Sequence, residues 1–332
     1  MNKITKLGVS ALCGSLAAVS AANAGDLAVT GGVDMTWISM DDEQTGNPIG
    51  IGSNVTFSGS GELDNGWGVA LSIAYTNQAA YSSTNVTVTV PSLGDIVVTQ
   101  GGTGTGIDRM DDVTPNVWEE AYASGLSTGI NTISGASGGA GLEFTPNMLP
   151  DGMTARVSYS PDVSGSSLND KGFSGTSTTQ GSGYDVTLVL SDAVTGMSGL
   201  TIGGGISEVD REAGDDIEEE TLYATYAVGG FTLGYQMSTE DLGTTSNEQK
   251  YENDGYGITF NVNDDLSIGY NHYESKQTST TNVTAEASSV QVAYSAGGAS
   301  VRVMRAQADN MDYSTAASQD RENTIVSIAL AF

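Results

Sequence analysis

Residues 322–332 read Glu322-Asn323-Thr324-Ile325-Val326-Ser327-Ile328-Ala329-Leu330-Ala331-Phe332. Thr324, Val326, Ile328, Leu330 and Phe332 share one parity; Asn323, Ile325, Ser327, Ala329 and Ala331 share the other. Alternate residues of a strand face opposite sides. The stretch therefore predicts a strand with one large apolar face and one mostly small face. Such a strand invites aggregation at a sheet edge unless it is paired or covered. Pairing it with the first strand removes the edge and closes a barrel.

The segments before it repeat the alternation in hairpins. Ala287 to Ser295 and Ala299 to Ala308 flank Ala296-Gly297-Gly298. Gly255 to Val262 and Leu266 to Lys276 flank Asn263-Asp264-Asp265, and Thr221 to Val228 and Phe231 to Thr239 flank Gly229-Gly230. Earlier strands are predicted over Leu27 to Ser39, Ile51 to Leu63, Trp67 to Thr76, Asn85 to Val90, Asp95 to Gln100, Gly139 to Thr145, Met153 to Ser160, Gly183 to Asp192 and Leu200 to Glu208. Asp64-Asn65-Gly66 is a hairpin turn, since Asn-Gly supplies the positive φ that tight turns need. In Trp67 to Thr76 the row Trp67, Val69, Leu71, Ile73, Tyr75 carries an aromatic at each end. That row suits a membrane band between interfacial girdles. Short turns alternate with long polar loops throughout, as in barrels that cross a membrane. The fold expected is all-β: a transmembrane antiparallel up-and-down barrel of about sixteen strands.

At the other end, Lys3 and Lys6 precede an apolar run from Leu7 to Val19, and Ala22-Asn23-Ala24 follows. This is the pattern of a secretory signal peptide, expected over 1–24, with the barrel over 25–332. The single Cys, Cys13, lies inside it, so disulfides and thiolate metal sites are not expected in the remainder. The chain holds 11 Lys and Arg against 40 Asp and Glu. With its two Lys removed, the remainder carries nine bases and a formal charge of −31. That balance argues against nucleic acid as a partner and for cations.

With these features placed, the chain resembles the Gram-negative general-diffusion porins of the trimeric sixteen-stranded type. The resemblance rests on the leader ending Ala22-Asn23-Ala24, the alternating strands, the long segment after the fifth strand, and terminal Phe332. It implies an outer-membrane location in a Gram-negative bacterium, surrounding lipid and a homotrimer. It also implies passive diffusion of small hydrophilic solutes without catalysis. Phe332 would belong to the signal read by the barrel-assembly machinery. Gly101 to Gly138 would fold back into the barrel as a constriction loop. Family members often set Arg and Lys opposite that loop; this chain has few candidates and departs from the pattern.

Within that segment stand Asp108, Arg109, Asp111, Asp112, Glu119 and Glu120, the expected constriction residues. Thr114-Pro115 predicts a helix start, with Thr as N-cap and Pro in the first turn. On that helix Val117, Trp118, Ala121 and Tyr122 would face the wall, and Asn116, Glu119, Glu120 and Ala123 the water. Parity sends Asp34, Glu143, Arg156, Asp185 and Arg302 into the lumen, because an Arg at the lipid midplane costs about 2–4 kcal/mol. Arg305 has outward parity near a strand end.

Val209 to Glu220 is expected to be an acidic loop, in which Asp215, Asp216 and Glu218 are candidates for Ca²⁺ or Mg²⁺. No other cofactor is expected. The chain has one His, His272, which excludes mechanisms needing several, and no nucleophile motif accompanies it. Two readings stay open: a water-filled pore, expected to prefer cations, and a structural or adhesive barrel without an open pore.

Overall fold

The computed structural model describes residues 27–41, 46–77, 80–101, 104–131, 133–136, 140–163, 180–243, 250–278 and 282–331. The expected signal peptide, with Cys13, and the terminal Phe332 lie outside the described residues. Sixteen antiparallel strands form one closed barrel in which each neighbours the next in sequence. They are β1 (Leu27–Met40), β2 (Ile49–Glu62), β3 (Gly68–Thr76), β4 (Ala80–Val90), β5 (Gly94–Gln100), β6 (Ala140–Pro146), β7 (Met153–Ser160) and β8 (Gln180–Leu190). Then follow β9 (Leu200–Arg211), β10 (Ile217–Val228), β11 (Phe231–Asp241), β12 (Lys250–Asn261), β13 (Leu266–Thr278), β14 (Thr284–Ala296), β15 (Ala299–Asp309) and β16 (Arg321–Ala331).

Closure is made by β16 on β1, with Val33 opposite Leu330, Met35 opposite Ile328 and Trp37 opposite Val326. Every one of these faces outward, and the small residues Ser327 and Ala329 are fully buried on the inner side. β15 alternates without a break, with Val301 and Val303 exposed and Arg302 and Met304 buried. A closed barrel satisfies strand N–H and C=O groups between strands, which a lipid environment cannot do for an open edge.

The hairpin turns follow from their residues. Gly66 has φ +81°, its N–H bonds to the Leu63 carbonyl at 2.8 Å, and the Asn65 side chain accepts from the Trp67 N–H. Asn263 Oδ1 accepts from both Asp265 and Leu266 N–H.

Several expected boundaries move: β4 begins at Ala80 rather than Asn85, β8 runs Gln180–Leu190 rather than 183–192, and β12 begins at Lys250 rather than Gly255. The acidic loop shrinks to 212–216, because β9 and β10 continue as a paired ribbon with Glu208 opposite Glu218 and Ser207 opposite Glu219. Strand pairing satisfies these backbones despite their poor intrinsic strand preference. Glu218 therefore stands on an outward strand position and Glu219 is buried inside.

Candidate functional site

The segment between β5 and β6 enters the barrel. It leaves β5 through Gly101 at φ +77° and makes a 3-10 turn over Gly106–Met110. No helix starts at Thr114: residues 111–120 are irregular, and only Ala121–Ala123 make a further 3-10 turn. The physical reason lies in the wall. A Cβ at Gly234 would sit 2.3 Å from Pro115 Cδ, and one at Gly257 would sit 2.2 Å from the Pro115 carbonyl oxygen. The loop backbone thus rests on a glycine floor in β11 and β12, closer than a helix about 10 Å across allows.

Wall amides take over the hydrogen bonds a helix would have made. Gln291 Oε1 accepts from Val117 N–H at 3.3 Å and Trp118 N–H at 3.0 Å, while its Nε2 donates to the Glu119 carbonyl at 2.6 Å. Asn271 Oδ1 accepts from Ala121 N–H, Asn323 donates to the Ser124 carbonyl and Gln236 to that of Met110. Trp118, Tyr122 and Leu126 pack with Tyr273, Met304 and Ala306. Ile107, Met110 and Ile133 pack with Tyr223.

Wall carboxylates hold the two arms of the loop. Glu143 accepts from the Gly106 N–H at 2.7 Å and from Arg109 at 2.6 Å. Asp185, fully buried, accepts from Ile107 and Ala136 N–H. Glu219 accepts from Ser134 and Gly135 N–H. Gly106, at φ +57°, has no room for a Cβ, which would fall 1.9 Å from Asp185 Oδ2.

Arg302 is held at three points. It donates to Asp34 at 2.5 Å and to Ser327 at 2.6 Å, and its guanidinium lies 4.7 Å from the Trp118 ring centroid. A cation over an indole face is attracted by the ring quadrupole. Arg156, on β7, lies inside beside Arg109, Glu143 and Tyr223. The described loop contacts fall on β6 to β16, on Ile38 and Met40 of β1, and, at Gly101, on Ser82 of β4. On the inner face of β2 and β3, Thr56, Ser58 and Ser72 are partly exposed.

The expected constriction carboxylates do not share one environment. Asp112 is exposed, and Asp108, Asp111 and Glu119 are partly so. Glu120, expected toward water, is instead 3% exposed and accepts from Asn116 Nδ2 at 2.5 Å. Burial, then the charges of Asp112 and Glu119, push its carboxyl up to about 9. Burial also raises the Asp108 and Glu119 carboxyls. Of the metal candidates, Asp216 lies within 4.8 Å of Glu208 and Asp210 by ligand atoms; Asp215 and Glu218 are not in that group.

Sequence reasoning missed the amides Gln291, Asn271, Asn323 and Gln236; their signal was inward parity on otherwise small-residue strands. It also missed residues 311–313, which make contact with the loop and the inner wall. Met311 joins the apolar cluster with Leu126, the Asp312 N–H bonds to the Thr128 carbonyl at 2.9 Å, and Tyr313 bonds Ser275 at 2.8 Å. Asn310, Asp312 and Tyr313 have φ of 53–54°, a region that only Asn and Asp visit with any ease among non-glycine residues.

Solved structures share this architecture. A porin refined at 1.8 Å is 14% identical, with 92% of this chain and all of the other covered, at a TM-score of 0.65. The outer membrane protein OmpT of Vibrio cholerae is 11% identical over 92% of this chain and 97% of its own, at 0.65. An anion-selective porin from Comamonas acidovorans is 14% identical over 92% and 99%, at 0.65. No curated protein sequence matches the chain. The model of the Gram-negative porin family matches residues 8–330. This chain belongs to the Gram-negative porin family, a family of outer-membrane pores for passive diffusion.

Proposed function

We propose that this pore prefers cations, weakly to moderately, and that the carboxylates of the constriction loop set the preference. One observation carries the reading. Of the lumen bases Arg109, Arg156 and Arg302, two are already paired with wall acids, Arg109 with Glu143 and Arg302 with Asp34. The bases that act on Asp108 and Glu119, Arg109 and Arg302 respectively, are thus each already paired with a wall acid, and carboxylate clusters favour cations in pores. The solutes are small and hydrophilic, passed by a water-filled lumen rather than bound and converted.

The reversal potential of purified protein in a planar bilayer, under asymmetric KCl, tests this. A potential of the sign set by K⁺ is expected. A chloride-set potential would sink the preference, and absence of conductance steps would favour an adhesive barrel. The protein is a homotrimer by the same proposal; a neighbour, Vibrio cholerae OmpT, has a trimer form. Sedimentation in detergent as a single chain would count against it. Phe332 serves the assembly machinery, so its deletion should lower surface levels more than deletion of Gln319.

A further inference from the structure

We propose a divalent transition-metal site on the outer wall of the barrel, held by His272, Glu274 and Glu286. The three offer one imidazole nitrogen and two carboxylate oxygens, all within 4.8 Å of one another. His272 Nε2 stands 3.1 Å from Glu274 Oε1. Its ring is set against Tyr256, with centroids 5.0 Å apart and planes at 35°, which limits the orientations the imidazole can take. The remaining ligand comes from the neighbouring strand, where Glu286 pairs directly with Glu274.

The register supplies a second and separate observation. Asp254 on β12 pairs with Glu274 on β13, Glu274 with Glu286 on β14, and Glu286 with Asp309 on β15. Four acids thus lie in one row across four strands. Like charges directly opposite destabilise a ladder. The bases nearby are engaged elsewhere: Lys276 faces Glu252 at 3.5 Å, and Arg305 bonds Asp41 and Glu322. Asp254 is relieved by a hydrogen bond from the Tyr235 hydroxyl. Within the Glu274–Glu286 pair, Glu274 meets His272 Nε2 at 3.1 Å, and a cation held by all three would offset the repulsion between the two carboxylates.

The donor set selects the ion. Imidazole with carboxylates suits Zn²⁺ and its neighbours, whereas Ca²⁺ takes six to eight oxygens. Three protein ligands leave a fourth tetrahedral position open, available to water or to an anionic headgroup. The site lies at the long-loop ends of β13 and β14, one paired row beyond Tyr235, Tyr256 and His272. It faces away from the lumen, so it stands or falls independently of the pore reading.

Isothermal titration of the folded, detergent-solubilised protein with ZnCl2 tests it, with Co²⁺ absorption as a second readout. A metal-binding event is expected that His272→Gln and Glu286→Gln each weaken by at least about tenfold, the scale on which even outer-shell partners of metal sites act. Asp216→Asn, in the other acidic group, should leave it unchanged. Circular dichroism of each variant establishes that the barrel has formed. Absence of Zn²⁺ binding, binding indifferent to His272→Gln, or binding lost with Asp216→Asn would each overturn the site. Reversal potentials of the His272 variant should match those of the unaltered pore.

Discussion

Glu120 is the loop carboxyl most removed from water, and that decides its charge. Raised to about 9, it is neutral at pH 7 and adds nothing to cation attraction there. Glu120→Gln should therefore leave the reversal potential unchanged at pH 7, while the unaltered pore should gain cation preference as pH rises through about 9. A bilayer series from pH 7 to 10 reads both; a large shift at pH 7 would contradict the assignment. Linkage gives the sign for loop packing. The packed state holds its proton more tightly than a released loop, so its advantage is full below the ordinary carboxylate range and is lost as pH rises toward 9. Glu143 acts by pairing a cation. It is 2% exposed and bound to Arg109, so Glu143→Gln frees a lumen cation. That variant should move the reversal potential toward anions.

At the scale of elements, strands and loop differ in how they are encoded. Strand alternation is local and repeats every two residues, so β7 could be bounded to the residue and β16 assigned its two faces from sequence alone. The constriction loop is encoded on other elements. Thr114-Pro115 is a sound local helix signal, but Gly234, Gly257, Gln291 and Asn271 outweigh it from more than a hundred residues away. Parity placed Glu143, Asp185 and Arg302 on the inner side; that two of them anchor loop backbone required the folded chain. Removing Gln291 leaves the Val117 and Trp118 N–H groups without their acceptor, at about 1–3 kcal/mol where water cannot replace it. Gln291→Ala should raise open-channel current noise, and Gly257→Leu, which strikes the Pro115 carbonyl, should displace the loop and raise single-channel conductance. Both variants should keep the strand-rich dichroism of the barrel. Unchanged conductance in Gly257→Leu would mean the loop does not narrow the path.

At the scale of the whole molecule, a formal charge of −29 says less about passage than its distribution does. Wall acids Glu143, Asp185 and Glu219 are covered by the loop they hold, and Glu208, Asp210 and Asp216 group at an outer loop end. Acids at outer ends raise cation concentration at the mouth, whereas those on the loop act where the path is narrowest. Salt separates the two contributions. The Debye length falls from about 10 Å at 0.1 M to about 3 Å at 1 M, so mouth charges are screened first. Replacing Asp108, Asp111, Asp112 and Glu119 together by Asn and Gln should carry the reversal potential to zero or toward anions, and the change should persist at 1 M salt. Replacing Glu208, Asp210 and Asp216 should have an effect only at low salt. If the loop variant keeps the original potential, or if its effect vanishes at high salt while the rim variant's does not, selectivity resides at the mouth and the loop governs size alone.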